Sequence, residues 1–212
     1  MMKEPEAATD VFAIDTRNSS AATADGVVWH SGFPVDLAIQ KNVSGVSSPA
    51  AYDRFRMARS LFTDNDLAEQ NQGGHKFDSM NGFDVRTLSA ATNQLAWMWK
   101  RAKGFMDVVA YSGTGSATTV AHSLSVIPEL MICKRRSSTE DWTVYNSTSG
   151  ATKYLNLNTA DAAATASSIW NDTAPTSTVF NVGAHGRVNS SGQTYIAYLF
   201  ATLAGISKVG SY

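Results

Sequence analysis

The chain has 212 residues, enough for one large or two small domains, and its 43% hydrophobic and 10% aromatic content is ample for their cores. Its formal net charge of -1 lacks the basic excess of a general nucleic-acid footprint, and no apolar run approaches the roughly 20 residues of a membrane-crossing helix. A single cysteine, Cys133, excludes an internal disulfide framework and a cysteine-based zinc cluster.

Residues 1–9 read as a polar arm, whose opening Met-Met-Lys-Glu-Pro-Glu is too polar for a signal peptide. Beyond it, short runs rich in Val, Ile, Thr, Tyr, Phe and Trp alternate with Gly, Ser, Asn, Asp and Pro clusters, which is the pattern of an all-β chain. A first β-module is expected over 10–106, with strands near 11–15, 26–30, 36–41, 60–63, 83–86 and 93–100. Residues 66–70 predict one helical turn, and 54–60 are ambiguous. A second β-module is expected over 107–212, with strands near 107–111, 118–122, 129–135, 142–146, 153–157, 178–182, 194–201 and 206–211. Its Ala-rich stretch 161–166 predicts another helical turn.

Residues 95–99 and 195–200 are apolar at nearly every position, which predicts central strands buried on both faces. Asn81-Gly82 and Gly113-Thr114-Gly115 supply positive φ angles for tight turns, the second of them a hairpin. The seam near 106–111 leaves almost no linker. The expected fold class is therefore all-β, with two tandem antiparallel β-sandwich-like modules.

The two modules read as copies of each other. Asp10-Val11-Phe12-Ala13-Ile14 is echoed by Asp107-Val108-Val109-Ala110-Tyr111 and again by Lys208-Val209-Gly210-Ser211-Tyr212. His30, Pro34, Asp36, Leu37, Ile39 and Lys41 line up with His122, Pro128, Glu129, Leu130, Ile132 and Lys134. Further on, 95–99 lines up with 196–200 and Gly104 with Gly205, at a constant offset of 101 positions (96 to 197, 104 to 205).

No residue set assembles into a catalytic, cofactor or metal signature. His30 and His122 are repeat-equivalent, which suits a structural hydrogen bond at a strand end in each copy, while His75 and His185 sit beside glycines and read as exposed. Gly113-Thr114-Gly115-Ser116 lacks the spacing and the lysine of a phosphate-binding loop. Asp64-Asn65-Asp66 lacks the glycine and the bidentate glutamate of a calcium loop and reads as a turn. The carboxylates Asp84, Asp107, Asp141 and Asp172 cannot be paired for sugar cleavage from sequence alone. Trp29, Trp142 and Trp170 read first as core side chains, with exposed sugar-stacking platforms as the alternative, and Trp97 and Trp99 read as core and strand residues. Cys133 reads as an ordinary strand residue, and Lys134-Arg135-Arg136 as the solvated end of a strand.

Several phrases resemble a repeat of unknown function common in marine and cyanobacterial bacteriophage structural proteins. They are Asp107-Val-Val-Ala-Tyr-Ser-Gly-Thr-Gly-Ser116, Val126-Ile-Pro-Glu-Leu-Met-Ile-Cys-Lys-Arg-Arg136, Trp170-Asn-Asp-Thr-Ala-Pro-Thr-Ser177 and Tyr195-Ile-Ala-Tyr-Leu-Phe-Ala201. The first module is similar to a more divergent copy, through Phe33-Pro-Val-Asp-Leu37 and Phe77-Asp-Ser-Met-Asn-Gly-Phe83. The resemblance implies a non-enzymatic virion protein in a tail fibre or host-contacting appendage, with other virion proteins and copies of itself as partners, and host surface polysaccharide as a further candidate. The alternatives are a capsid decoration or cement protein, and a carbohydrate-binding or, less favoured, polysaccharide-cleaving module. The expectation includes no nucleic-acid partner, no membrane insertion and no cofactor.

Overall fold

The computed structural model describes residues 2–17, 29–57, 59–71, 75–85 and 93–210, with the backbone alone for 75 and 85; the expected strand pieces at 26–28, 86 and 211 lie outside them. The chain divides into two compact units. The first comprises Glu6–Asp64 and Glu69–Arg101, and the second Ala102–Tyr212 together with Met1–Pro5 and Asn65–Ala68.

The first unit is built from β1 (Phe12–Arg17), β2 (Trp29–His30), β3 (Leu37–Asn42), β4 (Ala50–Asp53), β5 (Arg59–Phe62), β6 (Gln70–Asn71), β7 (His75–Lys76), β8 (Gly82–Val85) and β9 (Gln94–Trp99). In the second follow β10 (Met106–Ser112), β11 (Thr118–Ala121), β12 (Leu130–Arg135), β13 (Thr143–Asn146), β14 (Lys153–Asn156), β15 (Ala164–Thr165), β16 (Val179–Val182) and β17 (Thr194–Phe200). Two one-turn helices, α1 (Ser167–Trp170) and α2 (Gly186–Asn189), also belong to it.

Each unit is a β-sandwich-like module with a large antiparallel sheet and a small one. The large sheets run β1-β9-β3-β4-β5-β6 and β10-β17-β12-β13-β14-β15, the same order of six twice over. The small sheets are β2-β8-β7 and β11-β16. One core joins Ala38, Tyr52, Ala96 and Met98 of the first large sheet to Trp29 and Phe83 of its small sheet. The other joins Met131, Cys133, Ala197 and Leu199 to Phe180 and Val182. Alternating side chains along each strand supply these faces, as the pleat requires.

The last strand of each large sheet ends in the same turn. In both, a backbone bridge closes the turn, Ala102 to Met106 and Leu203 to Ser207, over a glycine at φ 74, Gly104 and Gly205. The first of these turns delivers the chain straight into β10, so the modules follow each other with almost no linker.

Several expectations are corrected by the fold. Ladder pairing sets Phe12 opposite Trp99 and Met106 opposite Phe200. The structural offset at the seam is therefore 94 (12 to 106), and not the 97 (10 to 107) of the echoed phrase. Residues 50–53 form β4 although Ala-Ala is a poor strand signal. Residues 66–69 are not helical, Ala164–Thr165 form β15, and the helical turns lie at α1 and α2 instead. Among the described residues of 206–211, only Ser207 joins a bridge. Residues 195–199 are buried on both faces as expected of a central strand, but 95–99 alternate between buried and half-exposed. Finally, β10 pairs with β17 and β11 with β16, so the loop at 113–117 is not a hairpin.

Candidate functional site

The second unit holds a set of reactive side chains that are wired to the backbone. Asp107 is fully buried; one carboxylate oxygen accepts from the Val108 amide at 2.9 Å and the other from the Ser123 amide at 2.7 Å. His122 Nδ1 accepts from the Leu124 amide, which leaves the proton on Nε2 to bond the Thr176 carbonyl at 3.1 Å. Burial holds its pKa below the ordinary histidine value, partly offset by that carbonyl and by Asp107. In the first unit, the His30 amide donates to Asp15 at 2.9 Å. His185, expected to be exposed, is half-buried and caps α2 by accepting from the Arg187 amide, while the side chain of His75 lies outside the described residues.

Tyr111 stacks on Tyr195 with ring centroids 5.1 Å apart and donates to the Val188 carbonyl at 2.8 Å. Cys133 lies behind it in the core, its thiol pushed up to about 12 by burial. Such a thiol is inert as a nucleophile.

The Gly113–Ser116 loop is wrapped around Asn189, which is fully buried. Asn189 Oδ1 accepts from the Thr114 amide at 2.7 Å, and its amide nitrogen donates to the carbonyls of Ser116 and Gly183 at 2.6 and 2.8 Å. The remaining loop amides are also engaged. Gly113 donates to Gln193, Gly115 to the Asn189 carbonyl, and Ser116 to the Thr114 hydroxyl. A phosphate would have to displace all of these bonds. Gly113 is required for close approach, because a Cβ there would stand 2.1 Å from the Ser190 carbonyl, whereas Gly115 supplies a φ of 79.

The charged cluster beside β12 and β14 is the strongest candidate for chemistry. Lys134, expected at a solvated strand end, is fully buried and donates to the carbonyls of Arg135 at 2.9 Å and Asp66 at 3.2 Å. Burial lowers its ammonium to about 8, opposed by the charges of Glu140, Asp66 and Asp141. Nearby, Arg187 reaches Asp141 at 3.1 Å, Glu140 at 3.8 Å and Asn156 at 2.9 Å, over the face of Tyr154. Asn158 ties Asp141 to the Trp142 amide. The cluster braces residues distant in sequence. Of the other acids weighed from sequence, Asp84 lies on β8 opposite Lys76, Asp172 is exposed at φ 46, and the Asp64–Asp66 segment turns through a bond from the Leu67 amide to Asn65.

The first unit has a buried ion network that sequence reading missed. Arg56 and Asp53 are paired with both side chains at 0% exposure, and Glu69 lies 3.7 Å from Arg56. The Asp-x-x-Arg spacing was its only local signal.

The core placement favoured for Trp29, Trp142 and Trp170 holds, whereas the core reading of Trp97 and Trp99 does not. Trp29, Trp142 and Trp170 are buried in the cores, and Trp97 and Trp99 are the half-exposed ones.

A family model described as Domain of unknown function (DUF7483) matches residues 9–212. The chain belongs to this family. One DUF7483 match spans both six-stranded sheets, so the family's unit of sequence is the pair of modules. No curated protein and no solved structure matches the chain. In this DUF7483 chain His122, His185, Cys133, the glycine loop and Lys134 all bond or pack within the fold.

Proposed function

We propose that this chain is a non-enzymatic structural protein of a bacteriophage particle, part of a tail fibre or a similar host-contacting appendage. The observation that carries the reading is the large sheet built twice in one strand order, with the same closing turn at Ala102–Met106 and Leu203–Ser207. A module that ends in a turn leading directly into the next supports a reading as a building part. The bracing roles of Asp107, His122, Lys134 and Asn189 are in keeping with it. The sugar-binding alternative loses its motivating residues, since the three candidate platforms are core side chains.

The test is immunogold electron microscopy of phage particles carrying a tagged copy. Label on fibres or tail is the expected result. Label on the head would replace this reading with a capsid-decoration role, and particles without label would refute both.

A further inference from the structure

Asn81-Gly82 reads from the sequence as a tight turn, yet neither residue has a positive φ, and Gly82 opens β8. What the pair does instead is set by the bonds around it. The Asn81 carbonyl accepts from two consecutive amides, Ser31 at 2.8 Å and Gly32 at 3.2 Å, with Gly32 at φ 80. Successive amides converging on one oxygen form a nest that stabilises negative charge there.

That oxygen belongs to the peptide bond joining Asn81 to Gly82. Hydrogen bonds to a carbonyl draw electron density from its amide, so the nest makes the Gly82 N–H a stronger acid. The ladder leaves this N–H without a partner. Because Ser31 bonds Asn81, the next pair, His30 opposite Gly82, is a non-hydrogen-bonded one. On the other edge of β8, pairing with β7 comes no nearer than Asp84 opposite Lys76. The Asn81 side chain is exposed and, like the Gly82 amide, has no hydrogen bond among the described residues.

Two Asn-Ser pairs are wired differently. Asn146 Oδ1 accepts from the Thr148 amide at 2.8 Å, and the Ser147 amide donates to the Glu129 carbonyl at 2.8 Å. Asn189 is held at both side-chain polar atoms, and the Ser190 amide donates to the Tyr195 hydroxyl at 2.8 Å. In each pair the carboxamide and the amide that would attack it are both occupied.

We propose that Asn81 is a self-modifying site that converts to isoaspartate in the folded protein. The Gly82 amide gives its proton to water or hydroxide, and its nitrogen attacks Asn81 Cγ. The Cγ–Nδ2 bond breaks and ammonia leaves, which closes a succinimide ring. Glycine offers no Cβ to hinder the approach. Water then adds to the main-chain carbonyl carbon, where the Ser31 and Gly32 amides stabilise the oxyanion, and the bond from that carbon to the Gly82 nitrogen breaks. The chain now runs through Cγ, and the old carbonyl becomes a carboxylate on the same two amides. Water attack at Cγ would give ordinary aspartate, so the nest biases the product towards isoaspartate. The reaction does not depend on a virion role.

The test is peptide mapping by mass spectrometry on the full chain aged in mildly alkaline buffer, folded and in urea, with isoaspartate read by enzymatic methylation. In the folded chain the Asn81 peptide should exchange amide for carboxyl roughly tenfold or more faster than the Asn146 and Asn189 peptides, which must first break their bonds. Its isoaspartate share should exceed that of the same peptide in urea, where the two donors are lost. Asn81→Gln keeps the backbone bonds but needs a larger ring, so it should stay unmodified over the same period and melt with the wild type. An Asn81 that reacts in urea but not in the folded chain would show that burial of Gly82 protects it, and overturns the proposal. A folded isoaspartate share no higher than in urea overturns the role of the Ser31 and Gly32 amides.

Discussion

Lys134 makes the second unit more stable as the solution turns mildly alkaline, and replacing it with methionine should remove that response. The unfolded lysine titrates at 10.5 and the folded one at about 8, with burial as the main cause. Between those values the unfolded chain keeps a proton that the folded chain has lost, so stability rises with pH there. The whole shift corresponds to about 3 kcal/mol, of which about 1 kcal/mol falls between pH 8 and 9. Cys133 and Tyr52 act in the opposite direction. Their folded values are raised to about 12 from 9.0 and 10.0, so their contribution is lost as pH climbs through that range. The clean window for the lysine is therefore pH 8 to 9. Urea midpoints for the wild type and Lys134→Met across pH 7 to 10 measure it, the difference between the two chains cancelling the thiol and the phenols. Methionine fills the same space without a charge; relief of the buried ammonium is offset by loss of its bonds to the Arg135 and Asp66 carbonyls, so the variant should stay within about 2 kcal/mol of the wild type at pH 7. A wild-type minus variant difference that is flat or falls from pH 8 to 9 would refute the argument that the ammonium is desolvated.

Three further outcomes follow from the geometry. Met57→Gly should stabilise the first unit by about 0.5–1 kcal/mol, since a left-handed side chain costs about 1–2 kcal/mol and glycine returns part of that as chain entropy; thermal melts that fall instead would contradict the strain at φ 55. Gly113→Ala and Gly183→Ala would each place a Cβ 2.1 Å from a carbonyl oxygen and should cost more than about 4 kcal/mol, whereas Gly45→Ala, with its nearest neighbour at 3.8 Å, should stay within about 0.5 kcal/mol in chemical denaturation. Asn189→Ala removes the partners of the Thr114 amide and of the Ser116 and Gly183 carbonyls, and should cost about 3 kcal/mol, with faster amide exchange at Thr114 as its local signature.

The sequence carried the all-β class and most strands because alternation and turn residues are local signals. It carried the equivalence of Gly104 and Gly205, which share a positive φ, but not the closing turns around them, since 206–211 read as a strand. It misplaced Trp97 and Trp99, since Trp29 and Trp97 occupy similar local patterns and only the packing of small sheet on large sheet decides which is covered. Lys134 could not be read as buried, because one of its acceptors is the carbonyl of Asp66, far away along the chain. The echo at Asp10 and Asp107 was a real likeness in the wrong register, and a shift of three residues in a strand moves every side chain to the opposite face. Asn189 gave no signal at all; an asparagine in a polar loop looks the same whether it is solvated or holds four residues together.

Cryo-electron microscopy of the intact phage particle bears most directly on the structural role. The account predicts density for paired six-stranded sheets, each closed by its terminal turn, within a tail fibre or appendage. Particles whose every density is explained by other chains, or density for this chain confined to the head lattice, would contradict it.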